Sequence, residues 1–361
     1  MSRKYNFFAG PATLPLPVLE QMRDELVDYN GMGLSLIETS HRSKEYDQVH
    51  NEAIALIKEL LAVPDNYKIL FLGGGATLQF SMIPLNFLGE GKSCDFTLTG
   101  SWAKKAYGDS KIRGTVNVIF DGAEYNFTKV PDPSSLTITT DAAYLHITSN
   151  ETIQGIEWRN FPDTGNVPLI ADMSSDIMSR SLPIEKFGLI YAGAQKNLGP
   201  AGATLVIIRE DLLKRCPDTL TAYLNYKTHV DKNSLYNTPP VFAIYAVKLV
   251  MEWVKGQGGL SAMTESAEKR SSLLYNTIEQ SNGYYSCPVD ELSRSKMNVI
   301  FRLRDENLEK KFVEEATKEG MIGLKGHRSV GGCRASMYNA MPVEGATTLA
   351  DFMKKFAKNN S

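Results

Sequence analysis

The chain contains 361 residues, of which 43% are hydrophobic and 22% charged, a profile typical of a globular protein with a sizeable core. Its 39 lysines and arginines nearly balance 41 aspartates and glutamates, so the net charge of −2 argues against nucleic acid or an anionic membrane as a partner. No stretch approaches the roughly 20 apolar residues needed to cross a bilayer.

The first strong pattern along the chain is a helix followed by a strand. Ahead of it, the N-terminus has no apolar run before Pro11, so no signal peptide is expected. Residues 43–62 place apolar side chains on one helical face, and Ser43 is a candidate N-cap. Residues 68–72 then predict a buried strand that runs through a glycine turn, GGGAT, into another helix.

Short apolar runs continue to alternate with helical patterns over the first two-thirds of the chain. Six further strands are predicted, at CDFTLTG, TVNVIF, AYLHITS, VPLIADM, KFGLIYAG and ATLVIIR. This alternation predicts an α/β fold in which a mostly parallel sheet is covered by helices on both faces.

The pattern changes after a helix that begins near Pro240 and ends at Gly256. One long helix is predicted over residues 260–281, followed by a strand at MNVIFRL and a helix over residues 307–319. Two strands and a last helix complete the chain. This order predicts a second, smaller α+β domain.

Two polar residues follow neighbouring predicted strands. VPLIADM contains Asp172, and KFGLIYAG leads directly into Gln195 and Lys196. Because ligands bind at the carboxyl edge of open α/β sheets, both side chains are expected to reach one crevice. A poorly hydrated lysine has a lowered pKa, and the neutral amine forms a Schiff base with an aldehyde. A carboxylate suits a protonated pyridine nitrogen, so the pair points to pyridoxal 5'-phosphate.

Other residues fit the same cofactor. LGGGATLQF offers backbone N–H groups at a helix N-terminus, with the Thr77 hydroxyl, for a phosphate. Trp102 follows a predicted strand as a candidate stacking aromatic, and Thr152 is a candidate donor to the ring hydroxyl. Each residue alone is more often a cap, a core aromatic or part of a tight turn. Their order along one chain favours a cofactor site.

The same motifs resemble those of the phosphoserine aminotransferase family. They are NFFAGPATLP, TSHRS, LGGGATLQF, TGSWAKKA, SNETIQGI, ADMSSD, YAGAQKNLGPAG, YNTPP and GHRSVGGCRASMYNAM. These enzymes are class V aminotransferases with the type I pyridoxal-phosphate fold. The resemblance therefore implies a large domain over residues 16–260, with a mixed, mostly parallel sheet between helices. It implies a smaller α+β domain of residues 1–15 and 261–361, and a cytoplasmic homodimer.

The resemblance also implies a role for each matching residue. Lys196 is similar to the Schiff-base lysine and Asp172 to the partner of the ring nitrogen, and both are expected to be catalytic. The expected cofactor-binding residues are Ala76, Thr77, Trp102, Thr152, Asp172, Gln195, Lys196, Asn237 and Thr238. Of these, Asn237 and Thr238 resemble the pair that reaches the phosphate from the other subunit. Ala9 stands where some relatives have a serine, and no side-chain contact is expected there.

The substrates can be approached from their charges. Phosphoserine carries a phosphate and a carboxylate, and glutamate carries two carboxylates, so a shared site needs the forked donors of arginine. The chain offers His41–Arg42 and His327–Arg328, followed by Arg334. The resemblance assigns Arg334 to the α-carboxylate and the two pairs to the phosphate or distal carboxylate, from either subunit. It implies amino transfer between L-glutamate and 3-phosphohydroxypyruvate, and 4-phosphohydroxy-L-threonine remains a possible second substrate.

Three alternatives remain open. A cysteine desulfurase of the same fold would need a mobile nucleophilic cysteine, and Cys333 lies beside Arg334, although its alternating pattern indicates a strand. A serine–glyoxylate aminotransferase would need no phosphate-binding pairs. A non-catalytic cofactor-binding protein would leave the lysine unmodified. The four cysteines form no CxxC pair, so free thiols in a reducing cytoplasm are expected, and no metal site is predicted.

Overall fold

The structure, a computed structural model, describes residues 3–360. Its strands are β1 Tyr5–Asn6, β2 Tyr67–Leu72, β3 Ser93–Leu98, β4 Thr115–Asp121, β5 Leu145–Thr148, β6 Asn150–Glu151, β7 Ile156–Glu157, β8 Leu169–Asp172, β9 Phe187–Gly193, β10 Thr204–Arg209, β11 Tyr285–Ser286, β12 Asn298–Leu303, β13 Met321–Ile322 and β14 Cys333–Ser336. Its α-helices are α1 Leu16–Asp24, α2 Lys44–Leu60, α3 Gly75–Phe87, α4 Ser101–Arg113, α5 Glu210–Leu213, α6 Tyr226–Asp231, α7 Val241–Gly256, α8 Gly259–Glu279, α9 Glu306–Lys318 and α10 Val343–Asn359. Short 3₁₀ turns lie at Tyr29–Gly31, Leu36–Glu38, Gly122–Tyr125, Pro133–Ser135, Ile184–Lys186, Ala222–Leu224 and Glu291–Ser293.

A seven-stranded sheet forms the centre of the molecule, in the order β2-β10-β9-β8-β5-β3-β4. The pairs from β9 to β4 are parallel, whereas β10 runs antiparallel to both β9 and β2. The expectation of a mixed, mostly parallel sheet is therefore confirmed. The carboxyl ends of β3, β5, β8 and β9 lie along one edge, and this edge holds the candidate site.

Helices cover both faces of this sheet, as the alternation of patterns predicts. Alternate side chains of β2 show it: Ile69 and Phe71 pack in a cluster with α2 and α7, and Leu70 and Leu72 pack in a cluster with α3 and α4. Every residue of β8 and β9 is buried. That burial explains why these strands read as uninterrupted apolar runs.

The predicted elements begin and end within a few residues of the observed ones. Helix α2 starts after Ser43, whose hydroxyl accepts the Tyr46 N–H at 3.3 Å, as the capping pattern predicts. The long helix expected over 260–281 is α8. Helix α1 and the hairpin of β6 with β7 were not predicted. Among residues 3–360, no helix is both long and apolar enough to span a bilayer.

A separate hydrophobic cluster lies in the C-terminal part and includes Phe7 from the N-terminus. Here β1 pairs in parallel with β13, and β12 pairs with β11 and β14. Helix α8 takes part in both clusters, because Leu260 packs with the large sheet and Leu274 packs with the C-terminal cluster. The domain boundary between residues 260 and 261 therefore stays a prediction, and it falls within a helix that packs against both hydrophobic clusters.

Candidate active site

Asp172 ends β8, and Ser174 holds its carboxylate. Asp172 Oδ1 accepts the Ser174 backbone N–H at 2.9 Å and the Ser174 hydroxyl at 2.6 Å. The Ser174 oxygen in turn accepts the N–H of Gly193 at 3.1 Å, at the end of β9. Ser174 therefore ties the carboxylate to the strand that leads into Lys196. Within residues 3–360 no hydrogen bond reaches Asp172 Oδ2, so its lone pairs are left for a ligand.

Lys196 lies in the turn after β9 and points toward groups from two other segments. Its Nζ donates a hydrogen bond of 2.7 Å to Oγ1 of Thr152, a buried residue just after β6. The same Nζ lies 5.6 Å from the centre of the Trp102 ring, at the start of α4. The N-terminal segment packs on the lysine stem, where a Cβ built on Gly10 would lie 3.4 Å from Lys196 Cγ.

Burial shifts the ionisation of the groups around this amine. It lowers the pKa of the Lys196 ammonium to about 8, against the opposing charges of Asp172 and Glu151. Burial likewise raises the pKa of the Asp172 carboxyl, although the Ser174 hydrogen bond and the Lys196 charge oppose the rise. At neutral pH, a much larger fraction of Lys196 is therefore neutral than of a solvated lysine. The neutral amine is the nucleophilic form.

The N-terminus of α3 is open, whereas that of α4 is closed. Gly74 has φ of +81°, and a Cβ there would lie 2.6 Å from Leu78 Cβ, so the turn before α3 requires glycine. No side chain caps α3, whose first turn contains Ala76 and the exposed Thr77. In α4, Glu151 accepts the N–H groups of the first turn instead. The free donors at this sheet edge, suited to a phosphate, are therefore those of α3.

Arg334 reaches the same place from the C-terminal part of the chain. Its Nη1 donates a 3.3 Å hydrogen bond to the backbone oxygen of Thr152, and burial lowers its pKa. Within residues 3–360 its buried Nε finds no partner. Partial burial, followed by the charges of Arg334, Arg328 and Lys105, lowers the pKa of His327. This side of the site is therefore electropositive, which suits an anionic substrate.

Residues 326–332, which include His327 and Arg328, are held by hydrogen bonds from side chains outside the site. Glu309 Oε2 accepts a backbone N–H of this segment at 3.1 Å. Arg302 donates to a backbone carbonyl of the segment at 2.8 Å and to Glu309 Oε1 at 2.7 Å. Arg302 and Glu309 thus form a brace that sets the position of the segment.

The structure does not bring all expected site residues together within one chain. His41 is half-buried and Arg42 is exposed, just before α2, and Asn237 and Thr238 are exposed before α7. Among residues 3–360, none of the four has a hydrogen bond to Lys196 or Asp172; Asn237 bonds instead to the Thr238 carbonyl oxygen at 3.0 Å. Gln195 adjoins Lys196, and its carbonyl accepts the N–H of Ala12 at 2.9 Å.

Three contributions to the site were missed from the sequence. They come from Glu151, from Ser174, and from the N-terminal segment around Gly10. A carboxylate beside Thr152 in SNETIQGI was visible as a signal for Glu151, and ADMSSD for Ser174. No local pattern signals that Gly10 packs on a lysine 186 residues later in the chain.

Cys333 is placed as its alternating pattern predicts. It begins β14, is fully buried, and burial raises the pKa of its thiol. A thiol held in a strand and kept protonated is a poor nucleophile. This placement argues against the desulfurase alternative.

The residues present fit pyridoxal phosphate. The buried amine of Lys196 matches the aldehyde, and the free oxygen of Asp172 matches a protonated ring nitrogen. The uncapped N-terminus of α3 matches the phosphate. The indole Nε1 of Trp102 is buried without a partner among residues 3–360, so the ring edge also has unused bonding capacity beside the site.

Comparison with known proteins agrees with this geometry. The family model Aminotransferase class-V matches residues 4–349. Phosphoserine aminotransferases of Lysinibacillus sphaericus (strain C3-41) and Geobacillus kaustophilus (strain HTA426) are 51% and 53% identical over 358 residues, covering 99% of this chain and of each relative. The phosphoserine aminotransferase structure from Bacillus circulans subsp. alkalophilus has a TM-score of 0.98 at 52% identity, covering 99% of both chains. The pyridoxal-phosphate-bound enzyme from Trichomonas vaginalis has a TM-score of 0.92 at 42% identity, covering 98% of this chain and 100% of that one.

Proposed function

This chain belongs to the class V aminotransferase family, with phosphoserine aminotransferases as relatives, and we propose that it transfers an amino group between L-glutamate and 3-phosphohydroxypyruvate. The products are 2-oxoglutarate and O-phospho-L-serine, and the reaction is reversible. One observation carries the proposal: a buried lysine of lowered pKa, Lys196, lies 2.7 Å from Thr152 and within the field of a buried carboxylate on the adjoining strand, Asp172. An amine and an acid so arranged are what pyridoxal-phosphate chemistry requires.

When bound, pyridoxal phosphate supplies an aldehyde that bonds amines and a protonated ring that accepts electrons from the substrate. Lys196 supplies the neutral amine. As a neutral amine, Lys196 Nζ would be placed to remove the proton from the α-carbon of a bound substrate. A pKa near 8 suits this proton transfer, because the amine gains and loses the proton readily near neutral pH.

Other residues hold the reacting groups. Asp172 would keep the ring nitrogen of the bound cofactor protonated, and Ser174 keeps Asp172 in place through two hydrogen bonds. Thr152 orients Lys196 Nζ. Trp102 covers one side of the site and excludes water from it.

Substrate anions are bound by cations around the crevice. Arg334 binds the α-carboxylate, because its guanidinium reaches the Thr152 carbonyl and keeps an unpaired Nε. His327 and Arg328 bind the phosphate of one substrate and the distal carboxylate of the other. The same contacts suit a second phosphorylated substrate, 4-phosphohydroxy-L-threonine, on a route to pyridoxine.

We further propose that the protein works as a homodimer in the cytoplasm. Among residues 3–360, His41, Arg42, Asn237 and Thr238 make no hydrogen bond with Lys196, which supports their delivery to the site of a second copy. All four cysteines, which lie within residues 3–360, are free, which supports a reducing compartment.

The test is a coupled assay with glutamate as amino donor and three acceptors: 3-phosphohydroxypyruvate, hydroxypyruvate and pyruvate. Because hydrogen bonds to a charged group contribute up to about 3 kcal/mol, kcat/KM is expected to be about 100-fold higher for the phosphorylated acceptor. Arg42→Ala and Arg328→Ala should remove most of this preference. Arg23→Ala, at an exposed ion pair with Asp24, is the matched control. Equal rates with all three acceptors would reject the phosphorylated substrate.

A further inference from the structure

The N-terminus of α4 is closed by two side chains from the β6–β7 hairpin: Glu151, which ends β6, and Gln154, which lies in the turn before β7. Glu151 Oε2 accepts the N–H of Trp102 at 3.0 Å, and Oε1 accepts the N–H of Ala103 at 2.9 Å. Gln154 Oε1 accepts the N–H of Ser101 at 3.3 Å, and its Nε2 donates to the Ser101 hydroxyl at 2.9 Å. The first three N–H groups of α4 are thus held by side chains from a different part of the chain.

Glu151 is tightly packed against the N-terminus of α4. It is 1% exposed, and a Cβ built on Gly100 would lie 2.5 Å from its Cδ. The carboxylate therefore packs against the backbone of Gly100, two residues before Trp102, as well as accepting the N–H of Trp102 itself. On its other side, Glu151 is bonded through the chain to Thr152, which accepts the Lys196 hydrogen bond.

Glu151 links two residues that face the cofactor site from different elements: it accepts the N–H of Trp102 and immediately precedes Thr152 in the chain. Trp102 lies 5.6 Å from Lys196 Nζ, and Thr152 lies 2.7 Å from it. Burial is the largest influence on Glu151 and raises its pKa to about 7, against the hydrogen bonds from the N–H groups of Ala103 and Trp102. Of the charged groups that face Glu151, Asp172 raises the pKa and Lys196 lowers it. Glu151 in return opposes the loss of the proton from Lys196.

We propose that Glu151 is a positioning residue for the reaction. Its carboxylate fixes Trp102 and Thr152 relative to each other around Lys196, and its negative charge favours the protonated form of the lysine nitrogen. A purely structural helix cap would fix Trp102 and Thr152 without affecting the protonation of Lys196. The proposal rests on the proposed roles of Lys196, Thr152 and Trp102.

The experiment compares three variants of the full-length protein loaded with pyridoxal phosphate. Glu151→Gln keeps the shape, removes the charge and turns one acceptor into a donor. Glu151→Asp keeps the charge and shortens the reach. Gln154→Ala removes the neighbouring, uncharged cap of the same helix and serves as the matched control. Two quantities are measured for each: the dissociation constant of the cofactor, and the pH midpoint at which the absorbance of the bound cofactor changes.

Glu151→Gln should lower the pH midpoint by roughly 0.5–1 unit, because an acidic neighbour no longer favours the protonated lysine nitrogen. It should also weaken cofactor binding about tenfold, because one of the two N–H groups of α4 loses its acceptor. Glu151→Asp should weaken binding while keeping the midpoint near that of the wild type. Gln154→Ala should leave the midpoint unchanged.

An unchanged midpoint in Glu151→Gln would overturn the proposal, and so would an equal shift in Gln154→Ala. If Glu151→Gln does not fold, Glu151→Asp decides instead. Because this variant keeps the charge, a pH midpoint lowered by as much as 1 unit would overturn the proposal. The midpoint requires only the bound cofactor. A wild-type protein inactive on 3-phosphohydroxypyruvate would therefore reject the proposed substrate and leave this test intact.

Discussion

Replacing Asp172 by asparagine separates the charge of this residue from its shape. An asparagine Oδ1 can accept the same two hydrogen bonds from Ser174, at 2.9 and 2.6 Å, so the side chain should keep its orientation. What is lost is the negative charge at the free oxygen. The variant therefore measures how much the carboxylate contributes to holding a proton on the ring nitrogen of the cofactor.

The magnitude follows from the burial of the group. Removing one partner of a buried, hydrogen-bonded ion pair costs about 3–5 kcal/mol. If roughly 3–4 kcal/mol of this falls on the transition state, kcat should decrease about 10²- to 10³-fold. The cofactor-free variant should be no less stable than the wild type. Burial raises the pKa of Asp172 in the folded state, so the ionised carboxyl opposes folding as the pH rises, and a neutral amide removes that effect.

The assay measures kcat with glutamate and 3-phosphohydroxypyruvate in protein saturated with pyridoxal phosphate, and thermal unfolding of the cofactor-free form. Ser174→Ala is the comparison variant, because it keeps the charge and loses the 2.6 Å hydroxyl bond. It should lose roughly 10-fold in kcat. A kcat of Asp172→Asn within threefold of the wild type would refute the role given to the carboxylate.

Three further predictions use other parts of the site. Gly100→Ala should destabilise the protein by about 1–3 kcal/mol in chemical denaturation, because its Cβ would lie 2.5 Å from Glu151 Cδ, whereas Gly108→Ala in open space on the same helix should not. Arg302→Met releases the brace on residues 326–332, so KM for 3-phosphohydroxypyruvate should rise about tenfold with the cofactor absorbance unchanged; an unchanged KM would contradict the brace. Lys196 in the cofactor-free protein should react with a small uncharged aldehyde, and the product can be trapped by reduction and located by peptide mass spectrometry. The rate should rise about fivefold from pH 7 to 8 and level off above 9, because the pKa is about 8 and only the neutral amine reacts. A rate still rising steeply above pH 9.5 would contradict this prediction.

The sheet and the central pair of residues were predictable because they rest on local patterns. Strands β8 and β9 are buried on both faces and form continuous apolar runs, so Asp172 at the end of β8 and Lys196 just after β9 stand out. The glycines before α3 likewise indicated a tight turn, and Gly74 and Gly75 have positive φ there. Reactive residues at strand ends can therefore be predicted from the sequence wherever the strands can be.

The rest of the site depends on contacts between distant segments. Strands β6 and β7 have two residues each, too few to show a period, so the sequence does not reveal the hairpin that buries Glu151 against the N-terminus of α4. Gly10 meets Lys196 only through tertiary packing. Asn237 and Arg42 are exposed, so one chain alone cannot test their roles: the role predicted for Asn237 needs a second copy of the chain, and the sequence leaves open which subunit supplies Arg42.

The identity of the amine that bonds the cofactor can be measured directly. The protein loaded with pyridoxal phosphate is reduced with borohydride and digested, and the labelled peptide is located by mass spectrometry. The account predicts a single label on Lys196, with none in Lys196→Ala. A label on another lysine such as Lys105, whose ammonium lies 4.2 Å from the Trp102 ring, or no label at all, would contradict it.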